Sequence, residues 1–239
     1  LKIALVLTAT IKPSEATPNL MLRDPDLRLR EYAKSINWWS QLASKNDFDL
    51  FVFENSGSAQ EISHLESQRV SVISVPSQDN ASVRKGKGSG ESAILRIAAE
   101  TVSEYTLALK CTGRLQVLNA ADLVERHLSV PEVETIIPWE ATFRKVDTRC
   151  FTVRPAFLHK WMSEIESQVT DAIGCDLESQ SARWLLSQIH QGKQVADCSR
   201  TPAIIGKSGS VGVVYSRRKA VTRMYLEKLV RGRIRTDSR

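Results

Sequence analysis

Lys2-Ile-Ala-Leu-Val-Leu-Thr-Ala-Thr10 is a continuous apolar run of the kind that a strand buried on both faces shows. Asp24-Pro25 follows as a helix start, with an N-capping carboxylate and proline in the first turn. Leu29, Tyr32, Ala33, Ile36, Trp39 and Ala43 then fall on one helical face. Residues 49–54 read as a second strand ending in Glu54-Asn-Ser-Gly57, a short helix follows, and residues 70–75 form a third strand closed by Pro76. This is a β-α-β-α-β opening. After a loop at 77–90, Ile94, Ile97, Ala98, Thr101, Val102 and Tyr105 repeat at helical spacing and lead into a fourth strand at 106–109. In a sheet so wound, active groups lie just beyond the strand ends.

The second half is less regular. Residues 133–138 and 150–153 read as strands, 155–169 and 176–191 as amphipathic helices, and 194–196 and 203–205 as short extended pieces. A turn, Gly206-Lys-Ser-Gly-Ser-Val-Gly212, precedes a final basic helix. The fold class expected is α/β, a mixed and mainly parallel sheet flanked by helices.

The 239 residues are enough for a full core. No apolar run approaches the roughly 20 residues of a membrane span, and the opening strand is too short for a signal peptide. The compartment expected is the cytoplasm. The chain opens at Leu1 with no initiator Met, as a trimmed chain or one module of a longer protein would. Cys111, Cys150, Cys175 and Cys198 are too widely spaced for a zinc site or a disulfide framework. His64, His127, His159 and His190 are isolated and read as surface or interface residues. The net charge of +6 resolves into two parts: residues 216–239 carry nine Lys or Arg against Glu227 and Asp237, a net of +7, which leaves −1 for the remainder. A body-wide basic surface for nucleic acid is therefore not expected.

Two cationic segments lie one helix and one strand apart, Arg84-Lys-Gly-Lys-Gly-Ser-Gly-Glu91 and Lys110-Cys-Thr-Gly-Arg114. Gly86, Gly88 and Gly90 allow backbone N–H groups close to a ligand, and a helix starting after them turns its positive end toward an anion. A phosphate-bearing ligand is the natural guest. Neither the Walker pattern nor the dinucleotide fingerprint fits, because Glu91 follows Gly90 and the glycines run G-x-G-x-G.

In this order, a first strand ending in Thr8-Ala-Thr-Ile-Lys-Pro13, Glu54-Asn-Ser-Gly57, the Lys-Gly-Lys-Gly-x-Gly-Glu loop and Lys-x-Thr-Gly-Arg, the chain resembles nucleotide-sugar-dependent glycosyltransferases of the GT-A type. The branch it is similar to is associated with bacterial and viral surface polysaccharides. The resemblance spans residues 2–215 and implies a catalytic domain at 1–215, with a nucleotide-binding half (1–115) and an acceptor half (116–215), followed by a basic tail at 216–239. GT-A enzymes carry a metal-holding D-x-D where this chain has Lys110-Cys111-Thr112-Gly113-Arg114. The departure removes the metal ligand and supplies two cations, which can stabilise the leaving diphosphate in its place. No tightly bound cofactor is expected, and Mn²⁺ or Mg²⁺ is the less favoured arrangement.

The resemblance assigns the donor to Thr8, Thr10, Glu54, Asn55, Lys85, Lys87, Lys110 and Arg114. Glu178 is the leading general base, with Asp147 and Glu140 in reserve, and Glu91 and Asp176 are acceptor or sugar contacts; Glu91 could equally cap its helix. The implied activity is inverting transfer from a nucleotide diphosphate-sugar to a glycan or lipid-linked glycan. The basic tail, with Val221, Met224, Tyr225 and Leu229 on one face, would dock peripherally on an anionic membrane. The alternatives are a non-catalytic nucleotide or glycan-binding module, which would lack a carboxylate near Lys110 and Arg114, and a nucleotidyltransferase, which would need Mg²⁺ and paired acids.

Overall fold

All seven residues of β1 (Ile3–Ala9) are buried, because this strand lies inside the sheet with a helix layer on each face. The computed structural model describes residues 1–18, 20–77, 80–171, 175–209 and 212–236, with side chains described throughout these ranges except at 80–82 and 228–236. Alternate β1 residues divide between two cores: Ala4 and Val6 pack on one side, and Ile3, Leu5, Leu7 and Ala9 on the other, as the two-residue repeat of a strand requires.

Helix α1 (Pro25–Asn46) is capped by Asp24, whose carboxylate accepts from the Asp26 and Leu27 N–H groups. Its buried stripe contains Tyr32, Ile36, Trp39 and Ala43 as expected, but also Arg28 and Ser35. Strands β2 (Asp49–Glu54) and β3 (Val70–Ser74) extend the sheet in parallel to one side of β1, with a one-turn helix α2 (Ala59–Ile62) between them. Helices α3 (Asn80–Lys85) and α4 (Lys87–Thr101) then carry the chain across to β4 (Leu107–Thr112), parallel to β1 on its other side. The direction of winding thus reverses between β1 and β4, which opens a crevice at their carboxyl ends.

Beyond β4 the chain forms a two-residue strand, β5 (Gln116–Val117), and then α5 (Ala120–Leu128), β6 (Val133–Ile137), β7 (Cys150–Val153), α6 (Pro155–Ile165), α7 (Leu177–His190) and β8 (Gln194–Asp197). The seven-stranded order is β3-β2-β1-β4-β7-β6-β8, with β7 antiparallel to both neighbours and β6 parallel to β8. Cys111 and Cys150 stand opposite each other across β4 and β7, both fully buried. A second sheet, β10-β9-β5, uses β9 (Ile204–Lys207) and β10 (Val214–Tyr215), and α8 (Arg217–Thr236) follows it. Among the described residues no helix is long and apolar enough to cross a membrane.

The chain is therefore an α/β fold with a mixed, mainly parallel sheet, and several local expectations need correction. The 77–90 segment is not a loop throughout: α3 begins at Asn80, and α4 begins at Lys87, which places Gly88 and Gly90 inside its first turn. The helix read at 155–169 ends at Ile165 and continues only as a 3₁₀ turn, Glu166–Gln168. His127, read as a surface or interface residue, is wholly buried and spans from the Thr152 hydroxyl to the Val133 carbonyl, each at 2.8 Å. In α8 Ala220 is buried, whereas Tyr225, on the face shared with Val221 and Met224, is exposed; Leu229 lies outside the described side chains.

Candidate active site

Two adjoining cavities open at the carboxyl ends of β1, β2 and β4. The smaller, about 230 Å³, is walled by Thr8 from β1, Thr10 just past it, Asn55 beyond β2, and Arg28 and Tyr32 from α1. The larger, about 750 Å³, runs beneath the second half of the sheet past Trp139, Asp147, Asp176 and Glu178. Lys87, Glu91, Thr112, Arg114 and Gly209 belong to both walls, so these residues form the saddle between the cavities.

Arg114 dominates that saddle. It is only 8 % exposed, donates from Nη1 to the Lys207 carbonyl at 3.1 Å, and leaves its Nε buried without an acceptor. Its guanidinium and that of Arg28, 3 % exposed, each lie 5.7 Å from the Tyr32 ring centroid. Arg28 spends its N–H groups on the Thr10 and Leu22 carbonyls. Among the described residues neither arginine has an ion-pair partner, so two buried positive charges meet at the switch point uncompensated, an arrangement that favours an anionic guest. Burial raises the Tyr32 phenol, but the two guanidiniums outweigh it and hold the group below its usual value. A Cβ at Gly209 would stand 2.5 Å from Arg114 Nη2, so a side chain there would displace the guanidinium from its present position. Sequence reading found Arg114 and missed Arg28. The available signal was an arginine on the apolar stripe of α1, one turn before Tyr32.

Several donor expectations land elsewhere. Lys110 is fully buried, its ammonium paired with Glu91, 2.5 Å from the Thr148 carbonyl and 5.8 Å from the Phe151 ring centroid. It lines neither cavity. Glu54 is also fully buried, and its carboxylate accepts from the N–H groups of Ile11, Ser56 and Ser58, which ties the loops after β1 and β2 together. Lys85 is exposed at the end of α3, outside both cavities, whereas Lys87 faces them.

The glycine run also has an unexpected neighbour. The amino end of α4 meets the Asp171 carboxylate, with the Gly88 N–H 3.4 Å from Oδ2. Gly86 has φ of 105°, and a Cβ on it would come 2.5 Å from the Asp171 Cβ. A side chain from a distant segment therefore stands where a phosphate was expected. Burial pushes the Asp171 carboxyl above the ordinary range, against Lys87 and the α4 N–H groups.

Of Glu91, Asp147, Asp176 and Glu178, all on the large cleft, only Glu178 makes no ion pair among the described residues. Asp147 is clamped by Arg149, whose Nε lies 2.8 Å from Oδ1, and Arg149 in turn donates to the Tyr215 hydroxyl at 2.6 Å. Asp176 caps α7 by accepting from the Ser179 N–H at 2.8 Å and pairs with Lys145. Burial opposes its charge, yet Lys145 and the Ser179 donors hold its carboxyl below the usual range. Glu178, in the first turn of α7, meets the Thr148 hydroxyl at 3.3 Å. Burial, with Glu91 and Asp176 adding to it against Lys87, raises its carboxyl above the ordinary value. Glu140 is exposed on the rim. No three His, Cys, Asp or Glu side chains converge as a metal-binding group among the described residues.

Solved structures share this architecture. A chain from Desulfovibrio desulfuricans G20, provisionally assigned as a nucleotide-diphospho-sugar transferase, matches 82% of this chain and 80% of its own with a TM-score of 0.53 at 10% identity. A glycosyltransferase involved in glycosylation of the major capsid of PBCV-1 matches 82% of each chain at 13% identity, TM-score 0.48. A cytidylyltransferase from Leptospira borgpetersenii matches 82% of this chain and 75% of its own at 11% identity, TM-score 0.46. No protein-family model and no curated protein matches the chain. At these identities the likeness is one of fold alone, and that fold is GT-A-like.

Proposed function

We propose that this chain is a glycosyltransferase that moves a sugar from a nucleotide diphosphate-sugar to a glycan or lipid-linked glycan, with inversion and without a resident metal. The observation that carries the reading is Arg114: a buried guanidinium with, among the described residues, no carboxylate partner and an orphaned Nε, set at the saddle between a nucleoside-sized cavity and a larger cleft. The nucleoside would rest against Thr8, Thr10 and Asn55, which offer hydroxyl and amide groups to base and ribose. The diphosphate would lie on Arg114 within the field of Arg28 and Lys87, and the leaving charge would develop against fixed cations. The sugar would enter the large cleft, where Glu178 takes the proton from the attacking hydroxyl. A single displacement between opposite faces of the sugar gives inversion.

A thermal-shift series with UDP, GDP and CDP in EDTA tests this. One of them at about 100 times its dissociation constant should add about 2.7 kcal/mol of stability. Stabilisation seen only with Mn²⁺ or Mg²⁺ would overturn the metal-free part, and pyrophosphate release from a nucleoside triphosphate and a sugar phosphate would replace transfer of a glycosyl group by transfer of a nucleotidyl group. Arg114→Ala should weaken nucleotide binding by about 10- to 100-fold, the worth of charged hydrogen bonds. The free variant should melt no lower than wild type, because an unpaired buried charge has left the protein.

The tail extends the reading. Arg217, Arg218 and Lys219 are exposed on α8, as are Tyr225 and Leu226, and Arg223 reaches back to the large cleft. We assign this helix to an anionic bilayer surface that carries the acceptor, each cation contributing about 1 kcal/mol. Co-sedimentation with vesicles containing phosphatidylserine should be lost in high salt and on truncation after Tyr215; equal recovery of both chains in the supernatant would reject the assignment.

A further inference from the structure

The segment 138–148 between β6 and β7 folds back as a narrow hairpin. Trp139 pairs with Val146, the Glu140 N–H donates to the Lys145 carbonyl at 3.0 Å, and the Phe143 N–H donates to the Glu140 carbonyl at 2.9 Å. At its tip Phe143 has φ of 55°, a region that a bulky side chain enters only under strain, and the residue is 58% exposed. Its ring centroid lies 5.7 Å from that of Trp139, which lines the large cleft. Trp139 packs partly on the core. The hairpin therefore holds a strained backbone in order to present an aromatic ring to solvent, beside a second ring that faces the cleft.

The same hairpin holds the base. The Val146 N–H donates to the Glu178 carbonyl at 3.3 Å, and Thr148, at the end of the hairpin, reaches the Glu178 carboxylate at 3.3 Å. Whatever rests on the two rings is positioned by the element that positions the proton acceptor. The surrounding wall is charged, with Glu140 and Lys145 on the hairpin itself. Lys145 is held by Asp176, but Glu140 has no ion pair among the described residues, and an acyl chain or apolar peptide would desolvate it as it covered the rings. A pyranose ring suits both, because one face is a sheet of C–H groups and its rim carries hydroxyls.

We infer that Trp139 and Phe143 are the acceptor platform, on which a pyranose unit of a glycan stacks. The inference rests on the glycosyl-transfer reading above and commits it to a sugar acceptor.

Saturation-transfer NMR on the full chain, with UDP at saturation, tests it with methyl β-D-glucopyranoside, methyl β-D-galactopyranoside, cellotetraose and maltotetraose. At least one should receive saturation on its ring C–H protons. Phe143→Asn should weaken that binding about tenfold or more, and Trp139→Ala should abolish it, with UDP stabilisation unchanged in both. Because asparagine tolerates positive φ, the Phe143→Asn protein should melt at or above the wild-type temperature, an effect opposite in sign to its loss of binding. Binding of none of the four sugars by a wild-type protein that binds UDP would overturn the platform, as would unchanged binding by Phe143→Asn. A protein that binds sugars but no nucleoside diphosphate would keep the platform and remove the donor reading.

Discussion

Glu178→Gln is expected to lower glycosyl transfer by about 10²- to 10⁴-fold, the usual contribution of general acid–base catalysis, with nucleotide affinity within about twofold of wild type. Glutamine keeps the volume and still accepts from the Thr148 hydroxyl, but it cannot take the acceptor's proton. The pH profile gives a second readout. Burial raises the Glu178 carboxyl, so wild-type turnover should climb with pH through an apparent value above the ordinary carboxylate range, and this limb should vanish in the variant. The stability sign follows from the same shift. A carboxyl with a raised folded value contributes stability below its unfolded value and loses it as pH rises through the folded one. At neutral pH Glu178→Gln should therefore be at least as stable as wild type. Near-normal turnover by a well-folded variant would pass the base role to Glu140 or Asp147.

Lys110→Ala is expected to cost about 3–5 kcal/mol of stability, the range for breaking a buried ion pair from one side. For a chain of this size that is about 6–20 °C in melting temperature. The ammonium is fully buried on Glu91 and the Thr148 carbonyl, and its removal strands the Glu91 carboxylate beside the cleft. Lys110→Met combined with Glu91→Gln should recover most of the loss, since neither charge then remains unpaired. If Lys110→Ala melts as wild type does and instead weakens nucleotide binding, the lysine is a donor contact, as the resemblance of its motif implied.

The βαβαβ opening was legible because its signals are local and agree: an apolar run through β1, Asp24-Pro25 at the start of α1, Pro76 after β3. The glycine run was misread for a reason outside its own sequence. Gly88 would be a poor residue in an isolated helix, but a Cβ there would meet Asp171, Val169 and Leu177 within about 2.9–3.3 Å, so packing from distant segments selects glycine inside α4. Helix α5 escaped notice because it has nine residues and no side-chain cap; Asn119 instead binds the Thr201 carbonyl and the Ala203 N–H across the chain. At the site, Thr8, Thr10, Asn55, Lys87, Glu91, Arg114, Asp147, Asp176 and Glu178 do line the paired cavities. What sequence could not supply was who neutralises whom. The pairing of Lys145 with Asp176 and the burial of Lys110 against Glu91 depend on tertiary approach, and among the described residues those pairings help to separate the unpaired carboxylate from the spent ones.

The facing thiols of β4 and β7 give this protein a built-in gauge of its own opening. The neighbouring Cys111 thiol and burial keep the Cys150 thiol protonated well above the usual range, so neither access nor thiolate is available while the sheet is closed. Half-buried Cys175 should react early with a thiol reagent, and Cys111 and Cys150 only when the centre of the sheet parts. Their labelling rate then counts those excursions in the unaltered chain. A nucleotide that binds only the closed form would slow it by the factor one plus concentration over dissociation constant, a measure of affinity that needs no acceptor and no turnover.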